Sequence, residues 1–231
     1  MRNVVRKLPG APRLYHTARR LISKLASRST ISDYLASSTV RKLHIGCGEN
    51  TLAGWLNSDY YPTVSNVIQL DATRKFPLDE NTFDYIFSEH VIEHIKYVDG
   101  LRMLKECSRI LRANGRIRIS TPDLQFLIDL YSKQKTALQQ DYIKWASDEF
   151  VKNGESSDTM VINNFVRDWG HVFVYDEKTL RRSLELSGFV DIIRYKISES
   201  DDENLRNLEN ETRMPAGFLQ LESLTLEARK P

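Results

Sequence analysis

The chain has 231 residues, of which 41% are apolar and 10% aromatic, enough to bury the core of one large domain. Its net charge is only +2, and its two cysteines, Cys47 and Cys107, are too few for a disulfide framework or a thiolate zinc cluster. No apolar run reaches the roughly 18 residues of a membrane span, and no secretory signal is recognisable. We therefore expect a cytoplasmic protein.

Residues 1–38 are predicted to form a basic, helical N-terminal extension ahead of a domain at 39–231. The extension carries eight Lys or Arg residues against one acid, Asp33, and apolar residues recur among them at helical spacing. These apolar residues are Leu14, Leu21, Ile22 and Leu25. Three interpretations stay open: a solvated helix on the domain edge, an amphipathic helix on an anionic membrane, or an organelle transit peptide. A nucleic-acid arm is not expected, because no aromatic interleaving supports one.

From residue 41 the pattern alternates between short apolar runs and helical segments. The runs end in Gly, Asp or Ser or run into polar residues, and they read LHIGCG, WLNSDYY, VIQLDAT, FDYIFSEH and RIRISTPD. Such alternation predicts a mostly parallel sheet with crossover connections. One helix is marked by Leu101, Leu104, Cys107 and Leu111, and Asn114-Gly115 announces its end.

Residues 123–170 break this pattern and are predicted to be a helical insertion above the carboxyl edge of the sheet. We expect two helices there, separated by the polar stretch KNGESSDT. A further helix through Leu180 and Leu184 and two final strands, FVDIIRYK and LESLTLEA, follow. The acidic stretch between these strands, SESDDENLRNLENE, is predicted to be an exposed loop.

The stretch SEHVIEHI contains His90, Glu93 and His94 in the order H-x-x-E-H, which zinc peptidases with an inverted helix motif also use. On an α-helix, residues four apart share a face, so the two histidines would reach one zinc and Glu93 would act as general base. The apolar run FDYIF before the motif favours a different interpretation, a strand-to-helix junction, where open α/β sheets bind ligands. No third metal ligand is evident nearby in the sequence, so no metal is expected.

The motifs HIGCGEN, LDAT, FDYIFSEHVIEH and LKECSRILRANGRIRISTPD occur together in this order. In this combination the chain resembles class I S-adenosylmethionine (SAM)-dependent methyltransferases, more narrowly the type 11 group. The resemblance runs from about 42 to 122 and resumes near 169 with WGHVFVYDEKTLRRSLELSGF. It implies an α/β, Rossmann-like, mostly parallel seven-stranded sheet flanked by helices, with the last strand antiparallel and the helical insertion after the fifth strand.

The resemblance also implies which residues bind SAM and release S-adenosylhomocysteine. The glycine loop of Gly46, Cys47 and Gly48 would lie against the methionine part. Asp59 would accept hydrogen bonds from the ribose hydroxyls, and Asp71 with Ala72 would read the adenine edge. Ser88 and Glu89 would close the pocket after the fourth strand.

The spacing around Asp59 departs from the usual pattern. Only six residues separate Gly48 from Trp55, whereas a parallel crossover normally needs a dozen or so. Either the first crossover helix is reduced to a turn, or Asp59 does not lie on the neighbouring strand. For both Asp59 and Asp71 the alternative interpretation is a turn-initiating aspartate.

Methyl transfer to a hydroxyl needs a base, and His90 and His171 are the candidates, with His171 preferred. His94 and Glu93 are expected to pack or cap the helix, and His16 and His44 to take no part in the chemistry. A sugar hydroxyl of a glycan or lipid-linked precursor is the expected acceptor, by analogy with methyltransferases of surface polysaccharide synthesis. Alternatives are a small aromatic or amine acceptor, a SAM-binding partner protein without catalysis, and the zinc peptidase. The oligomeric state is not predicted.

Overall fold

The computed structural model describes residues 27–152 and 154–231. The amphipathic helix expected from Leu14 to Leu25 and His16 lie outside the described residues. A helix (α1) covers 27–37, and the Tyr34 hydroxyl lies within hydrogen-bond distance of the carbonyl oxygens of Lys42 and Gly54, at 3.0 and 3.2 Å. In the described ranges, no helix has the length and apolar character needed to cross a bilayer.

Seven strands form a single sheet in the order β3-β2-β1-β4-β5-β7-β6. The strands are β1 (Lys42–Ile45), β2 (Leu56–Asp59), β3 (Ile68–Gln69), β4 (Phe83–Glu89), β5 (Leu111–Pro122), β6 (Val190–Tyr195) and β7 (Ser223–Arg229). The pairs from β3 to β5 are parallel, whereas β7 pairs antiparallel with both β5 and β6. The predicted Rossmann-like sheet, with its last strand antiparallel, is confirmed.

The helices cover the sheet and fill the expected insertion. They are α2 (Tyr97–Ile110), α3 (Leu124–Leu130), α4 (Ala137–Ala146), α5 (Asp158–Arg167), α6 (Glu177–Leu186) and α7 (Phe218–Glu222), with a π-helical turn at Ser147–Val151. Helix α2 ends at Ile110, so Leu111 opens β5 instead of ending the helix as its spacing had indicated. The insertion holds three helices where two were expected, with a polar break between α4 and α5.

The connection from β1 to β2 contains no helix. Residues 46–55 form turns, and β2 nevertheless lies beside β1 in parallel, with Ile45 opposite Ser58. Asp59 is therefore on the neighbouring strand, and the crossover helix is reduced to turns. Of the two alternatives that the spacing left open, the first is correct.

The acidic stretch at 198–211 is not the exposed loop that its charge predicted. Leu205 is fully buried and Leu208 nearly so, and both pack in a cluster with Trp55 and Phe87. This cluster includes Leu52 from the helix-free β1–β2 connection. The prediction was wrong because Leu205 and Leu208 cover apolar surface that the helix-free β1–β2 connection leaves exposed.

Arg118 on β5 holds this loop against the sheet. Its guanidinium is fully buried and donates to Glu209 at 2.7 Å, to Glu227 at 2.6 Å and to the Glu199 carbonyl at 2.8 Å. Burial raises the pKa of Glu227, a shift that Ser200 and Arg118 oppose by hydrogen bonding. A buried charge that loses its partner is strongly destabilising, so this network ties the loop to β5 and β7.

We expect Arg118→Met to lower the free energy of unfolding by about 3–5 kcal/mol, because it strands two carboxylates in the interior. Arg112→Met is the matched control. Arg112 pairs with Asp84 at 2.8 Å but is 38% exposed, so its loss should cost less than about 1 kcal/mol. Urea denaturation of both variants measures the difference, and equal losses would show that the buried network does not stabilise the fold.

Candidate functional site

The glycine loop after β1 makes one close contact and leaves one open space. Gly46 has a φ of +73° and its N–H donates to the Ser58 carbonyl at 2.8 Å. A Cβ at Gly46 would lie 2.1 Å from Val91 Cγ2, whereas a Cβ at Gly48 would meet no described atom within 4 Å. Burial raises the pKa of the Cys47 thiol to about 11, so this thiol stays neutral. The loop can thus present its backbone to a ligand on the Gly48 side.

The aspartates at the end of β2 and shortly after β3 differ in how many hydrogen bonds and ion pairs their carboxylates already make. Asp59 accepts one N–H on each oxygen, from Gly48 at 3.0 Å and from Tyr61 at 2.8 Å, which leaves one lone pair on each oxygen. Asp71 accepts from the Thr73 N–H and hydroxyl and pairs with Arg74 at 3.0 Å. Asp71 therefore has the contacts of a turn-initiating aspartate, and its neighbour Ala72 packs on the core.

Ser88 and Glu89 end β4 beside the glycine loop. Ser88 Oγ is buried and has no hydrogen-bond partner among the described residues. Glu89 accepts the Asn210 N–H at 3.3 Å and lies 3.8 Å from the Arg213 guanidinium. Burial raises the pKa of Glu89, while Arg213 opposes that shift. The acidic loop thus reaches the end of β4.

The H-x-x-E-H motif does not lie on an α-helix. His90 has a φ of +49°, and Ile92–His94 forms a single 3₁₀ turn before α2 begins at Tyr97. The i, i+4 helical geometry of the peptidase interpretation is therefore absent. A non-glycine residue at positive φ is strained, and such strain often occurs at functional sites.

Glu93 is the centre of this turn. It is fully buried; Oε2 accepts the Thr121 hydroxyl at 3.1 Å, and Oε1 lies 3.3 Å from His90 Nδ1 and 3.8 Å from His94 Nε2. Burial acts to raise the pKa of Glu93, but the nearby rings of His90 and His94 lower it by more. The carboxylate is therefore ionised, and His90 Nδ1 lies at ion-pair distance from it.

His171 joins this group from the far end of the insertion. Its Nδ1 lies 2.6 Å from the Phe165 carbonyl, which only accepts, so the neutral ring has its lone pair on Nε2. Burial lowers the pKa of His171, against the raising effect of Glu93, so the ring is neutral near pH 7. The Glu93 carbonyl accepts the N–H groups of Val172 and Phe173 at 2.7 and 3.1 Å, which fixes this segment beside the turn.

A cavity of about 180 Å³ opens beside these histidines. It combines aromatic rings with polar groups, and its lining includes His90, His171, Phe150, Trp169, Arg213 and Glu222. Phe150 and Trp169 are 37% and 41% exposed and stack edge-on with centroids 4.8 Å apart. Glu222 accepts the Tyr142 hydroxyl at 2.6 Å, and burial raises its pKa.

A larger cavity of about 480 Å³ lies between α3 and α5. Its lining is mostly aliphatic, as at Leu127 and Ile162, and includes the exposed Tyr131. No histidine or acid is among its described lining residues. Of the two cavities, only the smaller one is therefore lined by side chains that can take part in acid–base chemistry.

Residues 43–119 match the family model described as a methyltransferase domain. These residues form a methyltransferase domain of the type 11 group, the family that the sequence motifs indicated. The recognised family and the SAM cofactor are thereby confirmed. Comparison with curated proteins gives no match.

The fold of this methyltransferase is shared by solved structures of low sequence identity. A SAM-dependent methyltransferase from Archaeoglobus fulgidus is 17% identical, with 92% of this chain and 94% of that chain covered and a TM-score of 0.50. A possible histamine N-methyltransferase from Thermotoga maritima is 15% identical, with 95% and 97% covered and a TM-score of 0.51. A methyltransferase from Mesorhizobium loti is 16% identical, with 89% and 96% covered and a TM-score of 0.50.

The residues expected to bind SAM gather at one edge of the methyltransferase sheet. Gly48, Asp59 and Ser88 are near the carboxyl ends of the adjacent strands β1, β2 and β4, where this fold class binds ligands. The open space at Gly48 and the unpaired, buried Ser88 hydroxyl fit a bound polar ligand. SAM, the cofactor of this family, is a polar ligand of this kind.

Sequence reasoning underestimated Glu93 and missed Arg213 and Glu222. Glu93 was expected to pack or cap a helix, yet its carboxylate contacts Thr121 and lies beside two histidines. Arg213 lies outside every stretch that the sequence analysis quoted, and Glu222 lies in LESLTLEA, whose pattern indicated only a strand. For Glu93 a signal did exist, because two histidines flank it within one turn.

We expect Gly46→Ala to lower the free energy of unfolding by about 2–5 kcal/mol, because the new Cβ overlaps Val91 and the positive φ disfavours alanine. A double-mutant cycle with Val91→Ala tests this origin. It should return a coupling free energy of about 0.5–3 kcal/mol that favours the double variant. Strictly additive losses would show that Val91 is not what excludes a side chain at Gly46.

Proposed function

We propose that this methyltransferase methylates a hydroxyl group of a sugar in a glycan or glycolipid precursor, bound in the 180 Å³ cavity. The observation that carries the proposal is the mixed lining of partly exposed rings, Phe150 and Trp169, with hydrogen-bonding groups on His90, Arg213 and Glu222. An apolar site with a few convergent polar groups suits a ligand with an apolar face and several hydroxyls. The cavity is below the roughly 300–1,000 Å³ of sites for drug-sized ligands, so it suits one ring.

The cofactor is proposed to lie across the carboxyl ends of β1, β2 and β4. The backbone of Gly46, Cys47 and Gly48 faces its methionine part, and the free lone pairs of Asp59 accept the ribose hydroxyls. Asp71 and Ala72 border the adenine, where the Asp71 carboxylate is already engaged by Thr73 and Arg74, so its contribution to adenine binding is the smaller one. Ser88 and Glu89 close the pocket.

His90 is proposed as the base. Val91 touches Gly46, so His90 lies beside the glycine loop, whereas His171 lies across Glu93. Since Nδ1 faces the Glu93 carboxylate, Nε2 is left to accept a proton, with Ser223 Oγ 3.4 Å away. The Glu93 carboxylate, 3.3 Å from Nδ1, supplies a negative charge beside the ring, as the aspartate does in a Ser-His-Asp triad.

The reaction is a displacement at a methyl carbon. When bound, SAM supplies an electrophilic methyl group on a sulfonium, which leaves as a neutral thioether. His90 Nε2 takes the hydroxyl proton while the acceptor oxygen forms its bond to the methyl carbon, and Glu93 stabilises the imidazolium that results. The rings of Phe150 and Trp169 hold the acceptor in line, which is the main contribution that such an enzyme makes.

A lipid-linked acceptor would place the enzyme at a membrane. The eight basic residues of 1–38 and the apolar residues among them support contact with an anionic surface.

We expect His90→Gln to lower kcat by about 10²–10⁴-fold, because the acceptor hydroxyl loses its base. The dissociation constant for SAM, measured by calorimetry, should stay within about twofold, since no SAM contact is removed. An unchanged kcat would reject His90 as the base. Loss of SAM binding alongside kcat would show that the residue supports the cofactor pocket instead.

The acceptor class is tested by incubating the purified protein with SAM and separate pools of sugars, phenols and amines. We expect methylated product from the sugar pool, identified by mass spectrometry. Phe150→Ala should raise KM for that sugar about tenfold, whereas Tyr131→Ala, an exposed ring outside the cavity, should not. Methylation of amines or phenols alone, or SAM binding without turnover in any pool, would contradict the proposal.

A further inference from the structure

A cluster is formed by the side chains of Glu93, His94 and His171. The proposed methyl transfer gives a role to Glu93 but none to the two histidines. One carboxylate oxygen and one ring nitrogen from each histidine all lie within 4.8 Å of one another. His94 is adjacent to Glu93 in the chain, whereas His171 comes from beyond the insertion. The sequence offered no third ligand beside the H-x-x-E-H motif, and the fold supplies one.

Glu93 Oε1 points to what the cluster binds. It is buried, and within the described ranges it accepts no hydrogen bond, although His90 Nδ1 lies 3.3 Å away at an unfavourable orientation. Its sister oxygen is satisfied by Thr121. Buried carboxylate oxygens are rarely left without a partner, and a bound ion is one kind of partner that satisfies them.

His171 has the second hydrogen bond that metal-binding histidines usually have. Its Nδ1–H donates to the Phe165 carbonyl at 2.6 Å, which fixes the ring and aims the Nε2 lone pair away from that carbonyl. Such a bond on the other ring nitrogen holds the tautomer and orientation that a metal needs. The rings of His94 and His171 are close, with centroids 5.1 Å apart.

Access and adjustability also suit an ion. The His94 side chain is 38% exposed, so an ion can reach the cluster from solvent. Zinc binds such ligands at about 2.0–2.2 Å, which brings ligand atoms within about 4 Å of one another. A small rotation of the His94 side chain would reduce the present spacing of the three ligand atoms, within 4.8 Å of one another, to the spacing that zinc requires.

We propose that Glu93, His94 and His171 bind one divalent transition-metal ion, with zinc the best match to two imidazoles and a carboxylate. Three protein ligands leave an open position, which is the pattern of catalytic zinc sites. Since His171 also lines the acceptor cavity, this position borders the acceptor. The role of the ion, which rests on the proposed function, is to bind the acceptor hydroxyl and make it more acidic.

The ligand set differs from that of the inverted zinc-peptidase motif. That motif would use both His90 and His94 and would keep Glu93 as a base, whereas here Glu93 is a ligand and His171 replaces His90. Variants of single histidines therefore separate the two arrangements. A Glu93→Gln variant would not separate them, because Glu93 is fully buried and its replacement perturbs the fold in either arrangement.

The test is zinc titration of the full chain after removal of metal with a chelator, followed by calorimetry, with cobalt absorption as a second probe. We expect one zinc ion per chain and at least tenfold weaker binding in both His94→Gln and His171→Gln. His90→Gln is the matched control and should bind zinc as the wild type does. Zinc should raise the Tm of the wild type and the control but not of the two ligand variants.

Three outcomes would overturn the proposal. In the first, the wild type binds neither zinc nor cobalt stoichiometrically. In the second, His94→Gln and His171→Gln bind zinc as tightly as the wild type. The third is that His90→Gln loses zinc binding while His171→Gln keeps it. SAM affinity, measured in the same samples, should be equal in all of these proteins. Absent zinc binding with intact SAM binding and sugar methylation would reject the ion alone. Zinc binding without sugar methylation would reject the acceptor while leaving the metal site in place.

Discussion

The burial of the Glu93 carboxylate is the constraint on which the site depends. An ionised carboxylate loses several kcal/mol of hydration in a protein interior, so it persists only where its surroundings compensate. Glu93 meets this condition through Thr121 on β5 and the nearby rings of His90 and His94. Its backbone carbonyl, through Val172 and Phe173, also fixes the chain that follows the insertion. One residue thus connects the ends of two central strands to the segment that carries His171.

The rest of the site is added from two long connections. The insertion brings Phe150 and Trp169 to the cavity, and the bond of His171 to the Phe165 carbonyl links α5 to the Glu93 turn. The connection between β6 and β7, which includes the acidic loop, brings Arg213 and the Asn210 N–H to Glu89. Arg118 holds that loop from inside the sheet. In the proposed function, the sheet therefore binds the cofactor, and these two connections bind the acceptor.

The sequence predicted the sheet, the glycine loop and the cofactor edge because their signals are local. An apolar run followed by glycine, or ended by aspartate, marks a strand and its carboxyl end within a few residues. The remaining features depend on contacts between distant segments. Leu205 is buried because Trp55 and Phe87 lie beneath it, and His171 meets Glu93 only after three helices have been placed. Charge alone made the 198–211 loop look exposed, although part of that charge neutralises the buried Arg118.

A crystal structure of the complex with S-adenosylhomocysteine tests the central claim most directly. We expect the thioether sulfur between the Gly46–Gly48 backbone and His90, facing the cavity of Phe150 and Trp169, with the ribose hydroxyls on Asp59. A sulfur atom directed away from His90 and this cavity, or a nucleoside bound elsewhere on the sheet, would contradict the assignment of the acceptor site.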